Sequence, residues 1–114
     1  MELKTIRADD QLSHVALVGR LDAEGVQEVD LQFVAATASR KKPAVVDMSK
    51  VDFVASLGMR MLAGCVRSLL TSGCKVALLN PQPLVLEAIT NAGLLGFLHV
   101  EKDLDAAVQY VTSR

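Results

Sequence analysis

Hydrophobic and polar residues change their spacing several times along this chain, and each change predicts a new element of secondary structure. Short apolar runs rich in β-branched residues predict strands, whereas apolar residues that recur every three or four positions predict helices. The predicted strands cover residues 3–8, 14–18, 44–48, 75–79 and 98–100. The predicted helices cover residues 23 to about 39, 57–70 and 84 to about 91, followed by a terminal helix after a cap at Asp103.

The order of these elements predicts the fold class. A strand pair followed by alternating helices and strands is typical of an α/β domain whose later strands are parallel, because right-handed crossovers carry the helices over the sheet. We therefore expect residues 1–114 to form one small domain. Its mixed sheet should contain about four to five strands, covered by about four helices.

The segment before the second predicted helix has the most informative pattern. Residues 48–55 are predicted to form a loop that holds a small apolar cluster at Val51, Phe53 and Val54. Ser56 then stands one residue before the apolar stripe of the helix, where backbone N–H groups lack hydrogen-bond partners. A serine hydroxyl can cap such a helix, and the same N–H groups would stabilise a phosphate. The residues alone leave both interpretations open, a simple cap and a phosphorylation switch.

Composition and charge exclude several classes of protein. Hydrophobic residues make up 51% of the chain, which favours a folded core over disorder. The net charge of -1 provides no basic field, so nucleic acid is not expected as a partner. No apolar run approaches the roughly 18 residues of a membrane span, and the charged start has no signal-peptide core. We expect a cytoplasmic protein without direct insertion into a membrane.

The side chains that enzymes use for chemistry are scattered in this sequence. The two histidines, His14 and His99, are predicted to be sheet-edge or surface residues on or near strands. Cys65 and Cys74 have no metal-ligand spacing and are expected to be buried, reduced thiols, and the glycines form no phosphate-binding loop. We therefore expect no enzyme activity, no catalytic residue, no metal and no cofactor.

Three aspartates precede or follow predicted strands, at what would be one end of the sheet. These residues are Asp22, Asp47 and Asp52. Acidic side chains in such positions fit a cation site, and they also fit ordinary turns, in which aspartate is common. Because aspartate is so common in turns, we expect the turn interpretation over the cation site.

Several motifs resemble those of one family, the STAS domains of sulfate transporters and anti-sigma-factor antagonists. The stretch VVDMSKVDFVASLGMRML resembles the family signature, in which a strand ending in Asp-x-Ser is followed by an aromatic loop and by Asp-Ser-(Ser/Thr)-Gly at a helix start. Further agreements are Gly19-Arg20-Leu21-Asp22, Asn80-Pro81 and Ala92-Gly93-Leu94 to Phe97. The resemblance covers roughly residues 4–112 and implies the STAS fold.

In bacterial members, the resemblance implies a binding module without catalytic activity. Such antagonists bind a serine-kinase anti-sigma factor, which phosphorylates the serine at the helix start and so ends the interaction, while a serine phosphatase restores it. The matching serine here is Ser56, and Asp22 and Asp47 match acids that the family places around it. The expected partner-binding residues are Asp22, Asp47, Asp52, Val54, Leu57, Gly58, Met59 and Arg60.

Two of these residues have an argument of their own. Met59 is expected to be exposed with Val54 as an apolar patch beside the serine, because methionine suits adaptable contacts. Arg60 lies one helical turn after Ser56, where its guanidinium would either pair with a phosphate or remain a solvated helix residue.

The chain also departs from the family signature at three positions. Ala55 replaces the aspartate before the serine, Leu57 replaces a serine or threonine, and Arg60 replaces a glycine. These departures favour an alternative, in which the domain is a STAS subunit that scaffolds a membrane transporter or another signalling complex without being phosphorylated.

Overall fold

The chain folds around a single five-stranded sheet. The structure is a computed structural model that describes residues 1–113. The strands are β1 (Glu2–Ala8), β2 (Ser13–Leu21), β3 (Ala44–Val54), β4 (Val76–Leu79) and β5 (His99–Glu101). The helices are α1 (Ala23–Ala36), α2 (Ser56–Thr71), α3 (Pro83–Asn91) and α4 (Leu104–Thr112), with a short 3-10 helix at Ala38–Arg40. The strands lie in the order β1-β2-β3-β4-β5, with β1 and β2 antiparallel and all later pairs parallel. The predicted α/β fold class is therefore confirmed.

The two faces of the sheet are covered unequally. The larger core packs α1, α2 and α3 against one face, through side chains such as Phe33, Leu62 and Ile89. On the other face, α4 packs Ala107 and Val111 against β3 and β4. The elements that carry the predicted site, β3 and α2, therefore meet on the more heavily packed side.

Strand β3 is longer than the sequence pattern predicts. Residues 48–54 continue the strand, so the predicted loop at residues 48–55 is wrong. The reason is packing: Met48, Val51 and Val54 are all buried, and they are three residues apart because irregular register interrupts the ladder between β2 and β3. Such irregularities break the period of two on which strand prediction rests.

Strand β2 also continues past its predicted end at residue 18. It runs to Leu21, and the pairs Arg20↔Phe53 and Leu21↔Val54 carry the β2–β3 ladder to its last residues. The remaining strand boundaries agree with prediction to within one residue, and the predicted cap of α4 is confirmed, since Asp103 accepts a hydrogen bond from the Ala106 amide at 2.8 Å.

Helix α1 ends earlier than predicted. It stops at Ala36 rather than near residue 39, and Thr37 then turns the chain into the 3-10 helix. Thr37 is fully buried and its hydroxyl donates a hydrogen bond to the Phe33 carbonyl at 2.6 Å. A buried threonine with this local bond satisfies its own hydroxyl, which the apolar spacing alone does not signal.

The predicted surface position of His14 is wrong. His14 is buried, because β2 has a strand on each side and is not at an edge of the sheet. Burial lowers the pKa of its imidazole by disfavouring the charged form. His99, in contrast, is half-buried in β5, where its Nε2 lies 2.6 Å from Glu101 Oε2 and its ring stacks on Tyr110.

Candidate functional site

The ends of β2 and β3 and the start of α2 form one continuous surface. The amide of Ala55 donates to the carbonyl of Leu21 at 3.0 Å, which ties the turn before α2 to the end of β2. Ala55 is the N-cap, and Ser56 is the first residue of the helix. The interpretation of Ser56 as a cap is therefore wrong, because no side chain among residues 1–113 caps this helix. Ser56 instead lies exposed at the N-terminal end of α2.

Gly58 fixes α2 onto β2. A Cβ atom at this position would lie 2.5 Å from the Leu21 carbonyl oxygen and 2.6 Å from Leu21 Cγ, closer than real Cβ contacts allow. The helix can approach the strand this closely only because residue 58 has no side chain. Gly58 is itself buried, so it supports the surface around Ser56 and does not form part of it.

Asp22 lies beside this surface as the N-cap of α1. Its Oδ1 accepts a hydrogen bond from the Gly25 amide at 2.8 Å, and its Oδ2 lies 3.4 Å from Arg20 Nε. The hydrogen bond from Gly25, helped by Arg20, holds the pKa of Asp22 below its usual 3.8. The Asp22 carboxylate is thus already engaged in structure, directly after the end of β2.

Arg20 connects this cap to β3. Its guanidinium carbon lies 4.4 Å from the centre of the Phe53 ring, a cation–π contact between residues that face each other in the β2–β3 ladder. Phe53 is 41% exposed and Asp52 beside it is exposed as well. The sequence had not singled out Arg20 or Phe53 as site residues. The available signal was their position, since Arg20 lies two residues before Asp22 and Phe53 lies three residues before Ser56, on two strands that end together.

Asp47 does not join this surface. It lies in the middle of β3, and the rest of the strand after it spans roughly 20 Å, which places the start of α2 far away. Its side chain shares a face with Val45, on the opposite side of the sheet from α2, and its Oδ1 accepts a hydrogen bond from the Ser49 amide at 2.9 Å. The expectation that Asp47 lies near Ser56 is wrong, because the pattern placed the strand end too early.

The apolar surface near Ser56 differs from the predicted one. Val54 is only 6% exposed and Met59 is half-buried against the main core, so the predicted patch of Val54 and Met59 is wrong. Leu57, at 43% exposure, and Phe53 provide the apolar surface instead. The irregular register between β2 and β3 accounts for this exchange, because it leaves Val54 buried and both Asp52 and Phe53 exposed.

Arg60 is exposed one turn after Ser56 on α2. It borders a groove of about 320 Å³ between α1 and α2, together with Asp30, Val34 and Gly64. Residues four apart on a helix lie on the same side, so Arg60 and Ser56 face the same region of solvent. Both remain candidates for contact with a partner.

Removing the charge of Asp22 should make the free energy of unfolding depend less steeply on pH in the acid range. Because its folded-state pKa is lowered, Asp22 stabilises the fold fully above the unfolded-state pKa, and this contribution is lost as pH falls through the folded-state pKa. Asn in place of Asp keeps the cap but does not titrate in this range. We expect the Asp22→Asn variant to lose less stability than the wild type below about pH 4.

Urea unfolding between neutral and acid pH measures this difference. Asp9, whose pKa is lowered to about 2 chiefly by the Arg7 side chain, contributes equally to both proteins and therefore cancels. Parallel pH profiles of the two proteins would show that the Asp22 carboxylate is not held in its charged form.

Two wider features of residues 1–113 complete the description. No helix in this range is both long enough and apolar enough to cross a bilayer. Within the same range, His, Cys, Asp and Glu side chains form no group of 3 that would hold a metal ion.

Comparison with known proteins bears on the family and on the fold. The family model described as "Mlab, STAS domain" matches residues 5–100. No protein with a curated description matches the chain. An anti-sigma factor antagonist from Mycobacterium paratuberculosis has a similar structure, with a TM-score of 0.82 and 24% identity over 98% of this chain and 96% of that one.

Two further structures share the fold. The Bacillus cell fate determinant SpoIIAA in its phosphorylated form has a TM-score of 0.64 and 19% identity, over 92% of this chain and 96% of that one. The murine anion transporter Slc26a9 has a TM-score of 0.76 and 21% identity, over 91% of this chain but 18% of the transporter. At these identities the solved structures show a shared fold.

Proposed function

Because this chain belongs to the STAS domain family, we propose that it is a non-catalytic, cytoplasmic binding module that acts as an anti-sigma factor antagonist switched at Ser56. Its partner in this proposal is a serine-kinase anti-sigma factor, and a serine phosphatase reverses the modification. The observation that carries the proposal is the exposed position of Ser56 at the start of α2, beside the exposed side chains Phe53 and Leu57.

The physics of the switch follows from that position. A phosphate on Ser56 adds about -1.5 to -2 charges and three acceptor oxygens at the end of α2 where backbone N–H groups are free. The helix dipole favours negative charge at this end, so the domain stays folded when it is modified. A partner that covers Leu57 and Phe53 would have to bury the phosphate or leave, and the modification therefore ends the interaction.

Two observations support the proposal. Arg60 lies one turn further on the same side of α2, where a guanidinium is suited to pair with a phosphate. A structural relative, SpoIIAA, is known in a phosphorylated form.

Mass spectrometry of the protein from its native cells tests the proposal. We expect a fraction of the wild-type chain to carry one phosphate that phosphatase treatment removes. The Ser56→Ala variant should carry none. The control is Ser39→Ala, which removes an exposed serine from the 3-10 helix and should leave the modified fraction unchanged. Equal modification of the Ser56→Ala variant and the wild type would refute Ser56 as the site.

A second function is favoured by the cap of α2. Ala55 is an N-cap without a side-chain hydrogen bond, and Leu57 presents an apolar side chain to solvent beside Ser56. Both features suit a permanent apolar contact, as in a STAS subunit that scaffolds a membrane transporter or another signalling complex. The region of similar fold within Slc26a9 supports this alternative. An unmodified Ser56 in native cells, together with recovery of transporter components on the tagged protein, would favour it over the kinase-linked function.

A further inference from the structure

The C-terminal part of β3, residues 48–54, has a strand neighbour on one side only within the described part of the chain. The pairing of β3 with β4 ends at Asp47↔Leu79, because Asn80, with a φ of 50°, turns the chain away from β3. Among the residues that the structure describes, the remaining part of β3, residues 48–54, pairs with β2 alone. The side of residues 48–54 that faces away from β2 is therefore an unpaired sheet edge.

The backbone along this edge is largely unpaired. At the N-terminal end of this edge, the Ser49 carbonyl accepts a hydrogen bond from the Gln82 side chain at 3.0 Å and is therefore already paired. From residue 50 to residue 54, no backbone hydrogen bond in the described part of the chain reaches beyond the ladder with β2. An unpaired row of N–H and C=O groups is the feature to which an added strand binds.

Helix α3 forms the opposite wall of a groove along this edge. Leu84, Glu87, Ala88 and Asn91 lie at the spacing of one helix face and line, with residues 52–54, a cavity of about 340 Å³. Leu84 is 73% exposed, the largest exposed fraction among the large apolar residues of α3. The groove is therefore bounded by a sheet edge on one side and by a partly apolar helix face on the other.

The charge of the groove indicates what would fill it. Asp52 and Glu87 border the cavity, and neither carboxylate has an ion-pair partner among residues 1–113. Lys or Arg on an incoming segment would complement both carboxylates, while an apolar side chain would cover Leu84 and Ala88. A segment rich in acidic residues would be repelled.

We infer that an extended segment of a partner protein binds in this groove as an added strand along residues 50–54 of β3. Its backbone pairs with the open edge, an apolar side chain enters the cavity against Leu84 and Ala88, and a flanking Lys or Arg meets Asp52 and Glu87. PDZ and PTB domains hold peptides by the same addition of a strand to an exposed sheet edge. The site rests on the proposed function only in that the chain acts by binding another protein, and it does not require modification of Ser56.

A model peptide tests the inference directly. The probe is an acetylated peptide of about six residues, in which valine alternates with threonine between terminal lysines, a typical strand length. Titration into the labelled full chain, followed by NMR, should shift the amide signals of residues 50–54 and of α3 and slow hydrogen exchange of the edge amides. The same peptide with methylated backbone nitrogens should bind at least about tenfold more weakly, because it has lost its backbone donors.

Two matched variants locate the site. Leu84→Lys should weaken binding of the model peptide by about tenfold, because it removes an apolar contact and places a cation beside the incoming lysines. Leu31→Lys is the control, since Leu31 is 86% exposed on α1 and receives the same chemical change away from the groove. It should leave the affinity unchanged.

Three outcomes of these experiments would overturn the inference. It is refuted if no amide of residues 50–54 responds to the peptide, if the methylated peptide binds equally well, or if Leu84→Lys and Leu31→Lys behave alike. The groove and the switch are tested by separate measurements, because peptide binding is measured on the purified chain and Ser56 modification is measured in cells. If the peptide does not bind but Ser56 is modified in cells, only the proposed strand-binding groove is refuted. If the peptide binds but Ser56 is unmodified in cells, only the proposed phosphorylation switch is refuted.

Discussion

Replacing Gly58 by alanine is expected to lower the free energy of unfolding by about 3 kcal/mol, the upper end of the range for overpacked interiors. The added methyl group would lie 2.5 Å from the Leu21 carbonyl oxygen, which belongs to the backbone of β2 and cannot rotate away. The second close atom, Leu21 Cγ at 2.6 Å, is fully buried and has little room to move. Helix α2 would have to shift away from β2 as a whole.

Gly64 provides a matched control on the same helix. A Cβ atom at Gly64 would have no atom of residues 1–113 within 4 Å. Alanine there adds no contact and should raise the free energy of unfolding by about 0.5–1 kcal/mol through its better helix propensity. Urea unfolding followed by circular dichroism measures both variants. Similar stabilities of Gly58→Ala and Gly64→Ala would show that α2 does not pack on β2 as closely as described.

The contrast between the two glycines also explains the place of Gly58 in the family signature. In the sequence analysis Gly58 is one of the expected partner-binding residues. The packing shows a structural role instead. Gly58 lets the first turn of α2, which carries Ser56, pack closely on the end of β2. Loss of binding in Gly58→Ala would therefore accompany loss of stability.

Local patterns were sufficient to predict the elements of this fold. Apolar spacing predicts all five strands and the four main helices, most clearly where an element buries many of its side chains, as β4 and α2 do. The same method failed between residues 48 and 54. There the ladder with β2 has register irregularities, and polar residues such as Ser49 and Asp52 resemble a turn although the strand continues.

The candidate site was harder to predict, because its geometry depends on register between distant residues. The family resemblance identified Ser56 and Asp22, which the structure places on connected elements. It also placed Asp47 nearby, and only the full length of β3 shows that this aspartate lies far from the helix start. The pairing of Arg20 with Phe53 could not be derived from either residue alone, since it requires the alignment of β2 with β3.

Ser56→Asp is expected to separate binding from stability. At the first residue of α2, a carboxylate interacts favourably with the helix dipole, so the free energy of unfolding should rise by about 0.3–1 kcal/mol. The same negative charge stands where the proposed partner would cover Leu57 and Phe53. Affinity for the anti-sigma kinase of the same organism should therefore fall by about 10- to 100-fold, the effect of an uncompensated charge in an interface.

Ser72→Asp is the control for this prediction, because it makes the same change at the other end of the same helix. Ser72 is an exposed C-cap, where a negative charge opposes the helix dipole, so this variant should lose about 0.3–1 kcal/mol of stability. Its affinity for the kinase should remain that of the wild type, because it lies at the far end of α2 from Leu57 and Phe53. Thermal unfolding and calorimetric titration of the two variants measure both quantities. If Ser56→Asp kept full affinity, the partner would have to bind elsewhere. If both variants were destabilised alike, the N-terminal end of α2 would not favour negative charge, and the physical basis of the switch would be lost.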